Sequence, residues 1–77
     1  QGGRQEVDVI AELGGRRVIG IEIKASSAPR ARDARHLEWL REELGDRFVR
    51  GVVLHTGPRT FDLGDRIAAA PIASIWG

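Results

Sequence analysis

Residues 6–24 constrain the fold more than any other stretch of the chain. Apolar and polar side chains alternate over residues 7–13 and again over residues 17–23, on either side of the pair Gly14-Gly15. Alternation with a period of two is typical of strands that bury one face. The segment therefore predicts an antiparallel hairpin, and the pattern of its faces depends on how the turn sets the register.

Two loop lengths give two different pairings. If the loop holds only the two glycines, Asp8 faces Ile21 and both faces mix polar with apolar side chains. If Arg16 joins the loop, Val9 faces Ile21 and one face becomes apolar except for Arg17 at its rim. A slip of one residue exchanges the faces of a whole strand, so burial favours the second register, and three-residue loops with glycine are common. The predicted apolar pairs are Val9–Ile21, Ala11–Ile19 and Val7–Ile23, with Ile21 and Ile23 pointing into the apolar layer.

The same register gives the other face an unusual set of charges. Asp8 comes opposite Glu22, and Glu6 comes opposite Lys24. Adjacent carboxylates repel one another, and a hard cation such as Mg²⁺ or Mn²⁺ relieves the repulsion through oxygen ligation. A neighbouring ammonium suits orienting a water or offsetting charge on a scissile phosphate. These parts fit metal-assisted phosphodiester hydrolysis; the alternative is a solvated face on which the acids pair with arginines and Lys24 pairs with Glu6.

Size and composition exclude several classes of function. A chain of 77 residues makes one small domain near the lower limit for a self-sufficient core. The net charge of +1 creates no global attraction to nucleic acid or membrane, and the absence of cysteine excludes disulfides and thiolate sites. No apolar run reaches transmembrane length, so a soluble cytoplasmic protein without membrane contact is expected. The sequence contains no methionine, which leads us to expect a piece of a longer protein.

The remainder of the chain predicts one helix and three further strands. The breaker-rich residues 25–29 contain Ser26 and Ser27, which suit helix capping better than nucleophilic catalysis, and a helix is predicted over residues 31–44. Strands are predicted over residues 47–55, 60–63 and 67–70, followed by a helical turn over residues 71–76. The apolar positions of the helix are Ala34, Leu37, Leu40 and Leu44.

This order of elements predicts an α/β fold with a mixed β-sheet. A helix that connects two strands of one sheet forms a crossover, so the second and third strands should be parallel and the connection right-handed. The face of the hairpin that carries the acids would then lie under the start of the helix or open towards an element that is missing.

A basic cluster lies at the predicted helix start. Its members are Arg30, Arg32, Arg35 and His36. The positive end of the helix dipole would support phosphate contacts there, while the alternative is a solvated face balanced by the glutamates that follow. Trp39 and Trp76 are expected to be packing residues, and His55 is expected to have a structural role.

Four ordered segments carry a resemblance to known families. They are residues 4–8, 22–27, 46–57 and 71–76, and the likeness extends over nearly the whole chain. The hairpin with its Asp…Glu-x-Lys pattern resembles the PD-(D/E)XK nuclease superfamily. The ordered set resembles the C-terminal domain of unknown function found behind AAA+ ATPase modules in bacteria and archaea.

The resemblance implies roles for individual residues. Asp8 and Glu22 match the metal-ligating acids of the superfamily, the backbone carbonyl of Ile23 would be a third ligand, and Lys24 matches the catalytic lysine. The implied fold is a restriction-endonuclease-like core. This chain departs from it in lacking the N-terminal helix and in having Val7 where a proline often precedes the first acid.

Two functions of different class follow. In the first, the chain is a nuclease-like domain of an AAA+ ATPase that hydrolyses DNA with Mg²⁺ or Mn²⁺. In the second, it is a non-catalytic module that binds nucleic acid, another partner or its own upstream ATPase domain, because a nuclease fold can persist as a scaffold. A homodimer that shields a sheet edge is a further expectation.

Overall fold

Among the described residues a five-stranded mixed sheet forms the framework, with one α-helix against it. The computed structural model describes residues 7–76, with side chains through residue 74. Within that range no helix is long and apolar enough to cross a membrane. The elements are β1 (Val9–Glu12), β2 (Val18–Ile23), α1 (Arg35–Leu44), β3 (Phe48–His55), β4 (Phe61–Gly64) and β5 (Ile67–Pro71). Short 3₁₀ turns occupy Gly14–Arg16, Ala31–Ala34, Gly45–Arg47 and Ile72–Trp76.

The strand order confirms the α/β fold with a mixed sheet that the sequence predicts. Along the sheet the strands are arranged β1-β2-β3-β5-β4. β1 and β2 are antiparallel, whereas β3 is parallel to both β2 and β5. β4 pairs antiparallel with β5 and closes the far edge. The parallel pairing of β2 and β3 puts the helical crossover between them, as predicted, and both strands end at the same edge of the sheet.

The hairpin has the register that the apolar pattern selects. Val9 pairs with Ile21, Ala11 pairs with Ile19, and the Leu13 N–H donates to the Arg17 carbonyl at 2.7 Å. The intervening loop is the three-residue turn Gly14–Arg16, in which Gly15 has φ 75° and Arg16 has φ 65°. Left-handed backbone of this kind favours glycine at the first of these positions.

The predicted Val7–Ile23 pair is wrong because the ladder ends earlier than the alternation does. β1 begins at Val9, so Val7 and Asp8 precede the strand. Val7 instead packs against the core beneath the helix, about where a side chain on Gly20 would lie.

The core lies on the face of the sheet that α1 covers. A Cβ added at Gly20 would come within 2.8 Å of Leu37 Cδ2 and 2.9 Å of Leu40 Cδ2, so the helix packs directly on the β2 backbone. Gly51 allows the same close approach on β3, because a Cβ at this position would meet the side chains of Phe48 and Leu37. The buried residues of this cluster are Val18, Ala34, Leu37, Leu40, Phe48, Val53 and Ile67, with Leu44 partly buried beside them.

The expectation that Ile21 and Ile23 point into the main apolar layer is therefore wrong. On β2 the buried side chains are Val18 and Glu22, whereas Ile21 is half-buried and Ile23 is 50% exposed. Val9, on the same face as the isoleucines, is 44% exposed. The alternation correctly separates the two faces of β2. However, α1 covers the face that carries Gly20, because the missing side chain leaves room there for the leucines of the helix.

The entry to the helix also differs from the prediction. Residues 31–34 form a 3₁₀ turn before the α-helix begins at Arg35, and the serines do not cap it. The Arg30 N–H donates instead to Asp33 Oδ2 at 2.8 Å, so the acid in the first turn reaches back to close the helix entry. Ser26 Oγ accepts from the Ala28 N–H within the preceding loop.

Of the other predicted structural residues, His55 is confirmed and Trp39 is not. His55 is 1% exposed; its Nδ1 accepts from the Gly57 N–H, which leaves Nε2 to donate to the Arg59 carbonyl at 2.9 Å. Trp39 is 41% exposed on the outer side of α1, so it contributes little to the core. The side chain of Trp76 lies outside the described residues.

Candidate metal and phosphate site

Asp8 sits at the point where the hairpin opens. Its Oδ2 accepts a hydrogen bond of 2.8 Å from the Ile23 backbone N–H, which has no strand partner once β1 has ended. The side chain thus extends the ladder beyond its last backbone pair. This bond fixes the Asp8 carboxylate beside the carboxyl end of β2, which is the strand that carries Glu22.

Glu22 is the one acidic side chain that is buried in the described part of the chain. It is 5% exposed and lies beneath the start of α1, where His36 Nδ1 approaches its Oε2 at 3.5 Å. At 3.5 Å the imidazole is at the limit of hydrogen-bonding range, so this oxygen has no well-formed hydrogen bond among residues 7–76. A buried carboxylate oxygen without a partner is costly, because it loses its hydration without replacement.

The environment of Glu22 disfavours its ionised form. Burial raises the pKa of this carboxyl above its ordinary value, and the nearby negative charge of Asp8 raises it further. His36 and Lys24 act in the opposite direction and lower the pKa, though by less than burial raises it. The charge of Asp8 thus acts on Glu22, although Asp8 precedes β1 and the predicted cross-strand pair of these two residues is not part of the ladder.

Lys24 follows β2 directly and is held by its backbone. Its N–H donates to the Leu54 carbonyl of β3 at 2.9 Å, and its side chain is half-buried. The side chain lines a cavity of about 240 Å³ between the end of β2 and the helix entry. The residues around this cavity, which we call the basic groove, are Lys24, Arg32, Asp33, Arg35 and His36.

The fold brings together most of the residues that the sequence singles out. Arg32, Arg35 and His36 share the basic groove with Lys24, and His36 connects it to Glu22. Arg30 is exposed but does not line the groove. The expected pairing of Lys24 with Glu6 lies outside the described residues, and ligation by the carbonyl of Ile23 stays a prediction.

Sequence reasoning missed two features of the site. The first is Asp33, which lines the groove. An acid three residues after the capping residue is a recognised sequence signal for the start of a helix, and Asp33 stands in that position relative to Arg30. The contact between His36 and Glu22 joins residues fourteen positions apart, and no local pattern encodes it. It follows only from placing the helix over the face of β2 that carries the acid.

The donor set suits a hard divalent cation. Glu22 offers a buried oxygen with no partner among the described residues, and Asp8 uses only Oδ2 in its bond to the backbone. No group of three or more metal-ligating side chains occurs within residues 7–76. Two carboxylates match the usual needs of Mg²⁺, which keeps several waters and completes its shell with substrate phosphates.

Comparison with curated proteins and with solved structures gave no match. Comparison with protein families gave one: the family model described as "Domain of unknown function (DUF4143)" matches residues 1–75, which is almost the entire chain. The chain therefore belongs to the DUF4143 family.

Proposed function

We propose that this domain is a nuclease-type domain that hydrolyses phosphodiester bonds of DNA with the help of Mg²⁺ or Mn²⁺. The observation that carries the proposal is the buried Glu22 Oε2, which has no hydrogen-bond partner among the described residues. A charged oxygen in such a place makes sense where a cation joins it. Asp8, whose charge raises the pKa of Glu22, supplies the second carboxylate.

The residues around the acids have complementary tasks. The basic groove supplies positive charge where a phosphate group would lie, and Lys24 brings an ammonium to the end of β2. A bound Mg²⁺ would polarise the phosphoryl oxygen and lower the pKa of its water. Asp8 and Glu22 would hold that ion, while Lys24 would orient the water or offset charge that develops on the phosphate.

Burial of Glu22 also ties metal affinity to pH. The raised pKa means that the carboxyl holds its proton more tightly than an exposed glutamate does, and the proton must leave before oxygen ligation. Metal binding should therefore release a proton, and the affinity should fall as pH falls through the pKa of Glu22.

The proposal extends to fold and context. The antiparallel hairpin, the crossover helix and the parallel pairing of β2 with β3 support a restriction-endonuclease-like core. Its acids and Lys24 lie at one corner of the sheet, in keeping with the PD-(D/E)XK pattern. The likeness of the sequence to domains behind AAA+ ATPase modules supports an ATPase partner in the same protein.

Calorimetric titration with Mn²⁺ tests the site directly. The wild type is expected to bind one ion, and Glu22→Gln is expected to lose that binding because the amide keeps the shape but not the charge. Glu43→Gln is the matched control, since Glu43 is an exposed acid near the end of α1, whereas the groove lies at the start of that helix. Binding that is equal in all three proteins would refute the metal site.

Hydrolysis is tested separately on linear and supercoiled DNA with Mg²⁺ or Mn²⁺. Lys24→Met is expected to retain the calorimetric Mn²⁺ signal while cleavage is lost, because the lysine is not a ligand. Cleavage that persists undiminished in both Glu22→Gln and Lys24→Met would mean that the activity comes from elsewhere.

A second function is favoured by the open apolar face of the sheet. Ile23 and Val9 are each close to half exposed on the side that α1 leaves uncovered. In this alternative the domain is a non-catalytic assembly module that contacts its own ATPase domain or a second copy of itself. Ile23→Lys would then abolish association in sedimentation experiments, whereas Glu22→Gln would leave both association and Mn²⁺ binding unchanged.

A further inference from the structure

The basic groove carries an excess of positive charge over its single acid. Lys24, Arg32 and Arg35 contribute three positive charges and Asp33 contributes one negative charge. The charges of these lining residues therefore sum to about +2 with His36 counted as neutral, and Glu22, which touches His36 from outside the lining, is not part of this sum. An anion of about two charges matches this lining better than an anion of one charge does.

Within residues 7–76 the positive charges of the groove form no close ion pair, although Lys24 lies near enough to Glu22 to lower the pKa of that carboxyl. Across the described residues, none of the three cationic side chains lies within ion-pair distance of a carboxylate. Asp33 Oδ2 accepts a hydrogen bond from the Arg30 N–H, and this oxygen is therefore already used at the start of the helix. Arg32 and Arg35 are both exposed, and they leave the groove with donors available to a ligand.

The groove is also small. Its volume of about 240 Å³ is below the roughly 300 Å³ at which pockets for small molecules usually begin. Such a space admits one phosphate group and part of the attached sugar. It does not enclose several successive nucleotides of a strand.

We propose that the basic groove binds the terminal phosphomonoester of a DNA strand, so that the domain acts at phosphorylated ends. A terminal phosphate carries about −1.5 to −2 charges at neutral pH, whereas each internal phosphodiester carries one. The charge of the lining and the size of the cavity both favour the terminal group. This inference rests on the proposed nuclease function and names the part of the substrate that the site selects.

A preference for end phosphates would also determine where the strand is hydrolysed, because the acids lie next to the groove. His36 lines the groove and its Nδ1 lies 3.5 Å from Glu22 Oε2, so the phosphate site and the acid pair share one residue. A strand held by its end phosphate would have its nearest internal phosphodiesters beside Asp8 and Glu22. Hydrolysis would then remove short pieces from the phosphorylated end.

Equilibrium binding without metal tests this inference. Labelled duplexes with a 5′-phosphate, a 3′-phosphate or only hydroxyl ends are titrated with the protein in EDTA, and anisotropy is recorded. One phosphorylated end is expected to bind about tenfold more tightly than the hydroxyl ends, which corresponds to one charge-assisted contact. Which end gains the affinity identifies the polarity, and inorganic phosphate is expected to compete for that gain.

The matched variants are Arg35→Gln and Arg32→Gln, with Arg50→Gln as the control. Arg50 is an exposed arginine on β3, paired with Ile19 on the uncovered face of the sheet. Loss of a groove arginine should erase most of the end preference, whereas loss of Arg50 should leave the ratio unchanged. All three arginines are exposed, so the fold should persist, which circular dichroism checks.

Equal affinity for all three duplexes would overturn the inference, as would a preference that survives in both groove variants. Both results would assign the arginines to general backbone contact. The outcome is independent of the metal site because EDTA removes the ion. Failure of the Mn²⁺ titration with a preserved end preference would sink the nuclease proposal alone, and the reverse result would sink only the end preference.

Discussion

Replacing Glu22 with glutamine should stabilise the domain at neutral pH when no metal is present. The carboxylate is 5% exposed, and its Oε2 has no hydrogen-bond partner among residues 7–76. A buried polar atom left in this state costs about 1–3 kcal/mol. Glutamine would leave a polar atom at this buried place but would remove the charge, whose burial costs more than that of a neutral group, so we expect Glu22→Gln to raise the free energy of unfolding by about 1–3 kcal/mol at pH 7. In a domain of this size each kcal/mol corresponds to about 4–8 °C in Tm.

The dependence on pH has a definite sign. Folding raises the pKa of Glu22 above 4.5, first through burial and then through the charge of Asp8. The native state therefore holds the proton more tightly, so the contribution of Glu22 to stability is complete below pH 4.5 and declines as pH rises through the folded pKa. The advantage of Glu22→Gln should be smallest below pH 4.5 and should grow with pH until the native carboxyl is ionised.

Urea denaturation at a series of pH values from 4 to 8 measures this difference. The experiment is followed by far-ultraviolet circular dichroism in EDTA, with Glu43→Gln as the exposed control. Besides Asp8, the groups whose charges act on Glu22 are His36 and Lys24, so the series is repeated with His36→Gln, which removes the imidazole. A Glu22→Gln protein that is less stable than the wild type at pH 7, or a difference that does not change with pH, would refute the reasoning.

Three further substitutions probe the packing around the site. Gly20→Ala should cost about 1–3 kcal/mol in the free energy of unfolding, because its Cβ would lie under 3 Å from two leucine methyls of α1, whereas Gly14→Ala meets nothing within 4 Å. His55→Phe should cost about 1–3 kcal/mol in thermal denaturation, since a buried backbone N–H loses its acceptor. Asp8→Ala should cost about 1 kcal/mol and speed hydrogen exchange at the Ile23 amide, which loses its bond to Oδ2; unchanged exchange there would contradict the assigned bond.

The hairpin shows what sequence alone determines and where it stops. Its register could be predicted because only one pairing separates apolar from polar side chains, and Val9 pairs with Ile21 as that argument requires. The same pattern left open whether the acid face lies under the start of the helix or faces a missing element, and Glu22 lies under the start of α1, as in the first alternative. Hydrophobicity favours the isoleucine face, but the helix packs where Gly20 and Gly51 allow its side chains to approach the backbone. Close approach of the helix outweighed the hydrophobicity of the strand.

That choice of face creates the candidate site. Gly20 and Glu22 are two positions apart on β2, so they share the face that α1 covers. The leucines that pack on Gly20 hold the helix close to the sheet, and His36, next to Leu37 in the helix, comes within 3.5 Å of Glu22. Glu22 is therefore buried, and its pKa raised, because α1 packs closely on Gly20, two positions earlier in β2. A sheet that buried its isoleucines under the helix would instead leave Glu22 in solvent, where Asp8 already lies. The arrangement of small residues in the core thus decides whether Glu22 is a hydrated surface group or the buried carboxylate on which the proposed metal site rests.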